Sequence, residues 1–164
     1  MTREELIVGY IAQTDDEDMK TLLKTIDVDD IDNIEPRVAL SLRGGYTTLL
    51  PDDTDFTSLD LHKSVRIKEL EMAKDRQFDN IVVNNIVMTR EIVYDFATIH
   101  GLMTDTSKQS WINVNGEVVE LTKSDVVQLI VGGKNARQET YFSFRGKVQE
   151  VLGATTIEEV EKVV

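Results

Sequence analysis

Asn115-Gly116 stands between two β-prone runs and is the feature that most restricts how this chain folds. Asn-Gly between alternating apolar residues is a strong hairpin signal, because both residues accept the positive φ angles of a tight turn. The sequence therefore predicts a hairpin over residues 111–121. Thr122 and Asp125 follow at capping-box spacing, with Asp in place of the usual Glu, and predict a helix directly after the hairpin.

A shorter form of the same pattern lies upstream. Residues 81–88 are β-prone around Asn84-Asn85, and Thr89 then caps a helix that we expect to reach about Gly101. Two hairpin–helix units in tandem are the simplest description of this portion. The similarity between the two segments covers few residues, so a chance similarity is an open alternative to a true repeat.

Glycines and capping residues divide the rest of the C-terminal portion. Gly132-Gly133 predicts an interruption of the second helix. A further helical face is expected to end at Gly153 as its C-cap, with these apolar residues: Tyr141, Phe142, Phe144, Val148, Val151 and Leu152. A last helix is expected to begin at Thr155 or Thr156 and to bury three residues: Ile157, Val160 and Val163.

The first 58 residues carry helical, acidic and extended patterns in turn. Residues 2–26 predict two short helices, and an acidic loop over residues 27–35 follows. Alternation of apolar with small or polar residues over 37–50 predicts a short β-hairpin turned by Gly44-Gly45. An exposed strand edge there would pair with a strand of another chain. The candidate partner-binding residues are Val38, Leu40, Leu42, Tyr46 and Trp111.

Trp111 has two readings from the sequence. Its indole would serve as a hot spot for a partner, since Trp is enriched at such positions. Alternatively, it packs on the adjoining helix, as a Trp that opens a half-buried strand commonly does. Both readings place it at the start of the hairpin over residues 111–121.

A strongly charged helix separates the two halves. Residues 51–58 are rich in Asp, Thr and Ser and form the best linker candidate, and residues 59–78 follow with opposite charges three or four positions apart. A polar helix of this kind is typical of a connector. The sequence thus predicts an α+β protein with an N-terminal attachment module (1–58), a connector helix (59–78) and a C-terminal hairpin–helix domain (79–164).

The charge balance disfavours two classes of partner. The chain carries 30 acidic against 18 basic residues, a net charge of −12, and such a surface repels nucleic acid phosphates. No apolar stretch approaches the roughly 20 residues that cross a bilayer. The N-terminus shows no signal-peptide pattern. We therefore expect neither nucleic acid nor a membrane as partner, and synthesis and folding in the cytoplasm.

Motifs for catalysis or cofactor binding are missing from the sequence. It has no cysteine, no phosphate-binding loop and no nucleophile elbow. His62 and His100 lack a second His or a carboxylate at metal-ligand spacing, so a structural role is expected for both. Residues 27–32 resemble the start of a calcium loop, but the fifth and sixth positions do not fit, and a weak cation site there stays open. We expect no enzyme and no cofactor.

Six elements follow one another in a defined order between Val65 and the C-terminus. A charged helix with Arg66-Ile67-Lys68-Glu69-Leu70 precedes the Asn-turned hairpin and the Thr89 helix. The Trp111-Ile112 hairpin then leads into the Thr122-capped helix, and Thr155 to Val160 closes the series. In this order the chain resembles a domain of unknown function found in tailed-bacteriophage tail-fibre and tail-fibre-assembly proteins. It departs from that pattern in its bulkier helices and in the Gly132-Gly133 insertion.

The resemblance implies a non-enzymatic virion component of the phage tail, bound to a tail-fibre or baseplate protein. A second reading is an assembly chaperone that covers the fibre tip until trimerisation finishes. Since fibres are usually trimeric, three copies or one copy per trimer both fit, so a homo-oligomer stays open. A reading from another class is an acidic regulator that binds a host protein, in the manner of a nucleic-acid mimic.

Overall fold

A computed structural model describes residues 3–26 and 35–164. These residues form helices and two antiparallel hairpins, which confirms the predicted α+β class. The helices are α1 (Arg3–Gln13), α2 (Glu17–Thr25), α3 (Pro36–Arg43), α4 (Leu59–Asp79), α5 (Arg90–Leu102), α6 (Lys123–Gly153) and α7 (Ile157–Lys162). The strands are β1 (Val82–Val83), β2 (Ile86–Val87), β3 (Lys108–Ile112) and β4 (Val118–Thr122). Most of the predicted acidic loop, residues 27–34, lies outside the described residues.

The chain divides into two compact units. Unit 1 comprises residues 1–71 and 147–164, and unit 2 comprises residues 72–146. These bounds differ from the predicted division at residues 58 and 78, because the C-terminal residues group with the N-terminal ones and because α4 and α6 each contribute to both units. Acid is concentrated in unit 1, which holds 21 acidic and 10 basic residues, whereas unit 2 holds 9 and 8.

Helix α3 occupies residues for which the sequence predicts a β-hairpin, and that prediction is wrong. Pro36 stands in its first turn, where a missing N–H costs nothing, and residues 38–42 are buried as a continuous run. Several of them join the core of unit 1 with Leu6, Tyr10 and Leu23. Apolar residues at alternate positions in so short a segment fit a strand as well as a helix, which is why the predicted strand is wrong.

Gly44 and Gly45 terminate α3 and do not form the turn of a hairpin. The N–H groups of Gly44 and Gly45 donate to the carbonyls of Leu40 and Leu42, and Gly45 has a φ of 61°. The Ser41 hydroxyl accepts from the N–H of Leu50, so the residues after the helix fold back over its buried face. The segment 46–50 contains no strand.

Both hairpins of unit 2 form at the predicted turns. Asn84 and Asn85 have φ angles of 48° and 63° and join β1 to β2, as the sequence predicts. The second loop, Asn113 to Glu117, is longer than a two-residue Asn-Gly turn. The Asn113 side chain closes it by accepting from the N–H groups of Asn115 and Glu117, and Gly116 has a φ of 79°. The N–H of Val114 donates to the carbonyl of Asn85 at 2.8 Å, so the two turns are in contact.

The predicted caps of α5, α6 and α7 are all present. Thr89 accepts from the N–H of Ile92, and Thr122 and Asp125 bond reciprocally at the start of α6. Thr156 and Glu159 form a full capping box at α7, where Val160 and Val163 are buried. Local sequence therefore determines where these helices begin.

We expect Thr89→Ala to lower the free energy of unfolding of unit 2 by about 1 kcal/mol, because the cap of α5 loses its acceptor. Urea unfolding followed by the fluorescence of Trp111, the single Trp of the chain, measures this change. Thr98→Ala is the matched control. The Thr98 hydroxyl only donates back to the Tyr94 carbonyl within α5, so its loss should leave the unfolding midpoint unchanged or slightly higher.

Helix α6 runs without interruption through Gly132-Gly133, so the predicted break is wrong. A Cβ atom on Gly132 would lie 2.7 Å from Val83 Cγ1, and one on Gly133 would lie 3.1 Å from Val93 Cγ2 and 3.2 Å from Met88 Cβ. The pair is therefore glycine because the first hairpin and α5 approach the helix backbone closely. The apolar face predicted over 141–152 is only partly buried, since Val148 and Val151 are buried but Tyr141, Phe142 and Leu152 are exposed.

Candidate partner-binding surface

The β3–β4 hairpin presents two different faces. Five residue pairs join the strands, from Lys108 opposite Thr122 to Ile112 opposite Val118. Successive side chains of a strand point to opposite faces, so Trp111 and Val119 share one face while Ile112 and Val118 share the other. Within the described residues neither strand pairs with a further strand, so both outer edges are open.

The inner face belongs to the core of unit 2. The Trp111 ring lies 4.5 Å from the Phe96 ring, between centroids, and is tilted against it by 45°. Leu121 and Phe96 are buried, and Trp111 packs against the same cluster. Trp111 therefore packs on the adjoining helix α5, in line with the second of its two readings, and its use by a partner stays a prediction.

The outer face carries an apolar pair in solvent. Ile112 is 63% exposed and Val118 is 71% exposed, although they lie directly opposite each other on the two strands. Further along the same face Ser110 donates to Glu120 at 2.5 Å, so the remainder of this surface is polar. Val114 at the turn is also exposed. We call Ile112, Val114 and Val118 the hairpin patch.

Three of the sequence-selected candidates do not lie on a surface. Val38, Leu40 and Leu42 are buried in α3, with at most 3% of each side chain exposed, so the proposed strand edge at these residues is wrong. Tyr46 follows α3 and is half-buried, and its carbonyl accepts from the Tyr10 hydroxyl at 2.5 Å. Burial raises the pKa of Tyr10 to about 12, although a hydrogen bond with Ser41 works in the opposite direction.

The sequence contained a signal for the hairpin patch, although the predicted partner-binding residues do not include Ile112, Val114 or Val118. Once Asn113 to Glu117 is taken as the loop, Ile112 and Val118 fall on the face opposite Trp111. That face is otherwise polar, with Lys108, Ser110, Glu120 and Thr122. Two apolar residues on an otherwise polar strand face indicate a binding surface, because packing in a buried core does not explain them.

A charged cluster lies within unit 1. The Arg43 guanidinium bridges two carboxylates, with Nε 3.1 Å from Glu69 Oε1 and Nη2 2.5 Å from Glu161 Oε2. Arg66 Nη1 lies 2.7 Å from Glu69 Oε2, and Arg66 Nε donates a hydrogen bond to the Val163 carbonyl. His62 Nδ1 lies 3.1 Å from Glu161 Oε1, and its Nε2 lies 2.9 Å from the Phe56 carbonyl oxygen. The cluster therefore connects α3, α4 and α7.

The pKa values of this cluster are set by opposing effects. Burial alone would lower the pKa of Arg43, but hydrogen bonds to Glu69 and Glu161 outweigh it, and the pKa of Arg43 is raised. Burial alone would raise the pKa of Glu161, but hydrogen bonds to Arg43 and His62 outweigh it, and the pKa of Glu161 is lowered. Every charged side chain here has a partner, so the geometry is that of a structural clamp.

Each histidine has a distinct position. His62 belongs to the charged cluster, whereas His100 lies in the last turn of α5, beside a shallow depression that Asp105 and Lys123 also line. Among the described residues no three His, Cys, Asp or Glu side chains come together as a metal site would need. Residues 27–34, with the acidic side chains of the predicted loop, lie outside the described residues.

In the part of the chain that the structure describes, no helix combines the length and the apolar character needed to span a bilayer. Comparison with known proteins found no match: no family model, no curated protein and no solved structure is significantly similar to this chain.

Proposed function

We propose that this chain is a non-enzymatic, partner-binding structural component of a phage tail, associated with a tail fibre or the baseplate. The observation that carries the partner-binding part is the hairpin patch. An exposed cross-strand apolar pair beside two open strand edges is a surface that another chain can cover. The phage tail, as the setting, rests on the resemblance of residues 65–164.

The fixed geometry of the patch supports this proposal. The inner face of the hairpin is anchored by Trp111 on Phe96, and its turn is held to Asn85. Thr122 and Asp125 connect the end of β4 rigidly to α6. A surface that is held in this way loses little conformational entropy when a partner binds, which favours affinity.

Quantitative mass spectrometry of purified particles tests the tail assignment. We expect the chain in particles of a phage that encodes it, at a fixed ratio to the fibre or baseplate protein, after washing with concentrated salt. Absence from particles, together with loss of fibres when the gene is deleted, would replace the proposal by the assembly-chaperone reading. Absence without any defect in the tail would contradict both.

A second candidate is favoured by the charge distribution. Unit 1 carries 21 acidic against 10 basic residues, so it would attract a basic protein surface. An acidic regulator of a DNA-binding protein would use this property. Co-purification that is abolished by moderate salt and by DNA competition would support it, and co-purification that resists both would exclude it.

A further inference from the structure

Aromatic residues are concentrated on two helices of unit 2. The chain has ten Phe, Tyr and Trp residues, and four of them lie on the part of α4 and α6 that belongs to this unit: Phe78, Tyr141, Phe142 and Phe144. Tyr141 is 45% exposed and Phe142 is 62% exposed. Large aromatic side chains left in solvent on a folded helix are typical of binding surfaces, where they act as anchors.

Phe78 and Tyr141 border a shallow, open groove of about 350 Å³, together with Lys134, Arg137 and Gln138. We call these five residues the aromatic–cationic groove. The Arg137 guanidinium stacks 4.9 Å from the centroid of the Phe78 ring, and one of its nitrogens donates to the Met88 carbonyl at 3.2 Å. The stacking fixes the guanidinium in place, while its other N–H groups remain available to an acceptor.

The local charge is opposite to that of the chain. Residues 130–146 contain Lys134, Arg137 and Arg145 against one acidic residue, Glu139, in a chain of net charge −12. Lys134 is exposed and has no ion-pair partner among the described residues. Charges beyond about 8 Å are screened at physiological salt, so a ligand in the groove responds mainly to these nearby cations.

From this geometry we infer that the groove binds an acidic segment of a partner protein. An apolar side chain of that segment lies against Phe78 and Tyr141, and its carboxylates pair with Lys134 and Arg137. Arg favours carboxylates because its planar N–H groups match their geometry. The segment is short because a long polyanion would be repelled by the rest of this acidic chain. The groove is separate from the hairpin patch and does not depend on its assignment.

Fluorescence anisotropy of a labelled, terminally blocked Glu-Glu-Phe-Glu-Glu peptide, titrated with the full chain at physiological salt, tests the inference. We expect saturable binding, and about tenfold weaker binding by Lys134→Glu, because that change reverses a charge at the groove. Lys108→Glu on β3 is the matched control, since it makes the same change of net charge on the exposed face of the hairpin. It should bind nearly as wild type, and circular dichroism should show that both variants are folded.

Four results would overturn the inference: no saturable binding, equal binding of Glu-Glu-Ala-Glu-Glu, equal binding of a single-stranded oligonucleotide, or equal weakening by Lys108→Glu. Self-association of the free chain that Lys134→Glu abolishes would also overturn it, because the occupant would then be a second copy. None of these results bears on the presence of the chain in particles, so the inference and the proposed function fail separately.

Discussion

Replacing Gly133 by leucine should destabilise unit 2 by about 3 kcal/mol, the largest effect that we expect from a single change in this unit. Even a Cβ atom at this position would lie 3.1 Å from Val93 Cγ2 and 3.2 Å from Met88 Cβ, so a leucine side chain would have to displace both neighbours. Leucine favours helix over glycine by up to about 1 kcal/mol, which is too little to offset the overpacking. Urea unfolding followed by Trp111 fluorescence measures the loss.

Gly146 supplies the control in the same helix. A Cβ atom there meets nothing within 4 Å, so Gly146→Ala should raise the free energy of unfolding by up to about 1 kcal/mol. Opposite signs at two glycines of one helix would separate packing from helix propensity. Equal stabilisation at Gly133 and Gly146 would contradict the close approach of α5 and the first hairpin to α6.

Removing the Arg43 side chain should have a comparable effect on unit 1. The side chains of Arg43 and Glu69 are only 12% and 13% exposed, and Arg43→Ala removes one cationic partner from each of Glu69 and Glu161. Breaking a buried pair from one side costs about 3 kcal/mol or more. Thermal and urea unfolding followed by circular dichroism, with hydrogen exchange of α3, would measure the change.

Two further variants make this result specific. Lys162→Ala removes an exposed bridge to Glu158 and should change stability little, because surface pairs contribute only about 0–1 kcal/mol. Arg43→Lys keeps the charge but cannot bridge two carboxylates with a planar fork, so it should fall between wild type and Arg43→Ala. A loss for Lys162→Ala as large as that for Arg43→Ala would show that the cluster has no special role.

The charged cluster also predicts a pH dependence. The pKa of Glu161 is lower in the folded chain than its ordinary value of 4.5. A lowered carboxyl pKa stabilises the fold above the ordinary value, and this stability is lost as the pH falls through the folded value. Glu161→Gln should therefore be less stable than wild type at neutral pH, and the difference should shrink below pH 4.5. A difference that is constant from neutral to acid pH would contradict the ion pair.

Local signals accounted for much of unit 2. Asn84-Asn85, Thr89, and Thr122 with Asp125 act through their own backbone neighbours, so the sequence was sufficient to place these turns and caps. Thr156 does the same for α7 in unit 1. The predicted helix break at Gly132-Gly133 was wrong because these glycines are required by a tertiary contact and not by a change of secondary structure. The glycines leave space for residues that lie far away in the sequence, and a single sequence does not reveal such a contact.

Unit 1 was harder to predict from the sequence for the same physical reason. Helix α3 has only eight residues, and the burial of residues 38–42 in the core of unit 1 is a tertiary property that the local pattern does not reveal. The clamp of Arg43, Glu69 and Glu161 joins residues that are distant along the chain. In a chain with many charged residues, the sequence does not show which of them form ion pairs in the folded structure. The prediction of an exposed strand edge over 38–50 was wrong because it depended on the predicted hairpin, which does not form.

The most direct test of the central proposal compares wild type with a double variant, Ile112→Thr with Val118→Thr, in phage assembly. Thr keeps the β-branched shape and the strand preference, so the variant should fold, while the hairpin patch loses its apolar pair. Leu102→Gln removes another exposed apolar side chain, outside the hairpin, and serves as the control. The measured quantity is the fraction of chain that sediments with purified particles. We predict that wild type and the control sediment with particles and the double variant stays in the soluble fraction. Equal sedimentation of all three, or of none, would contradict the proposal.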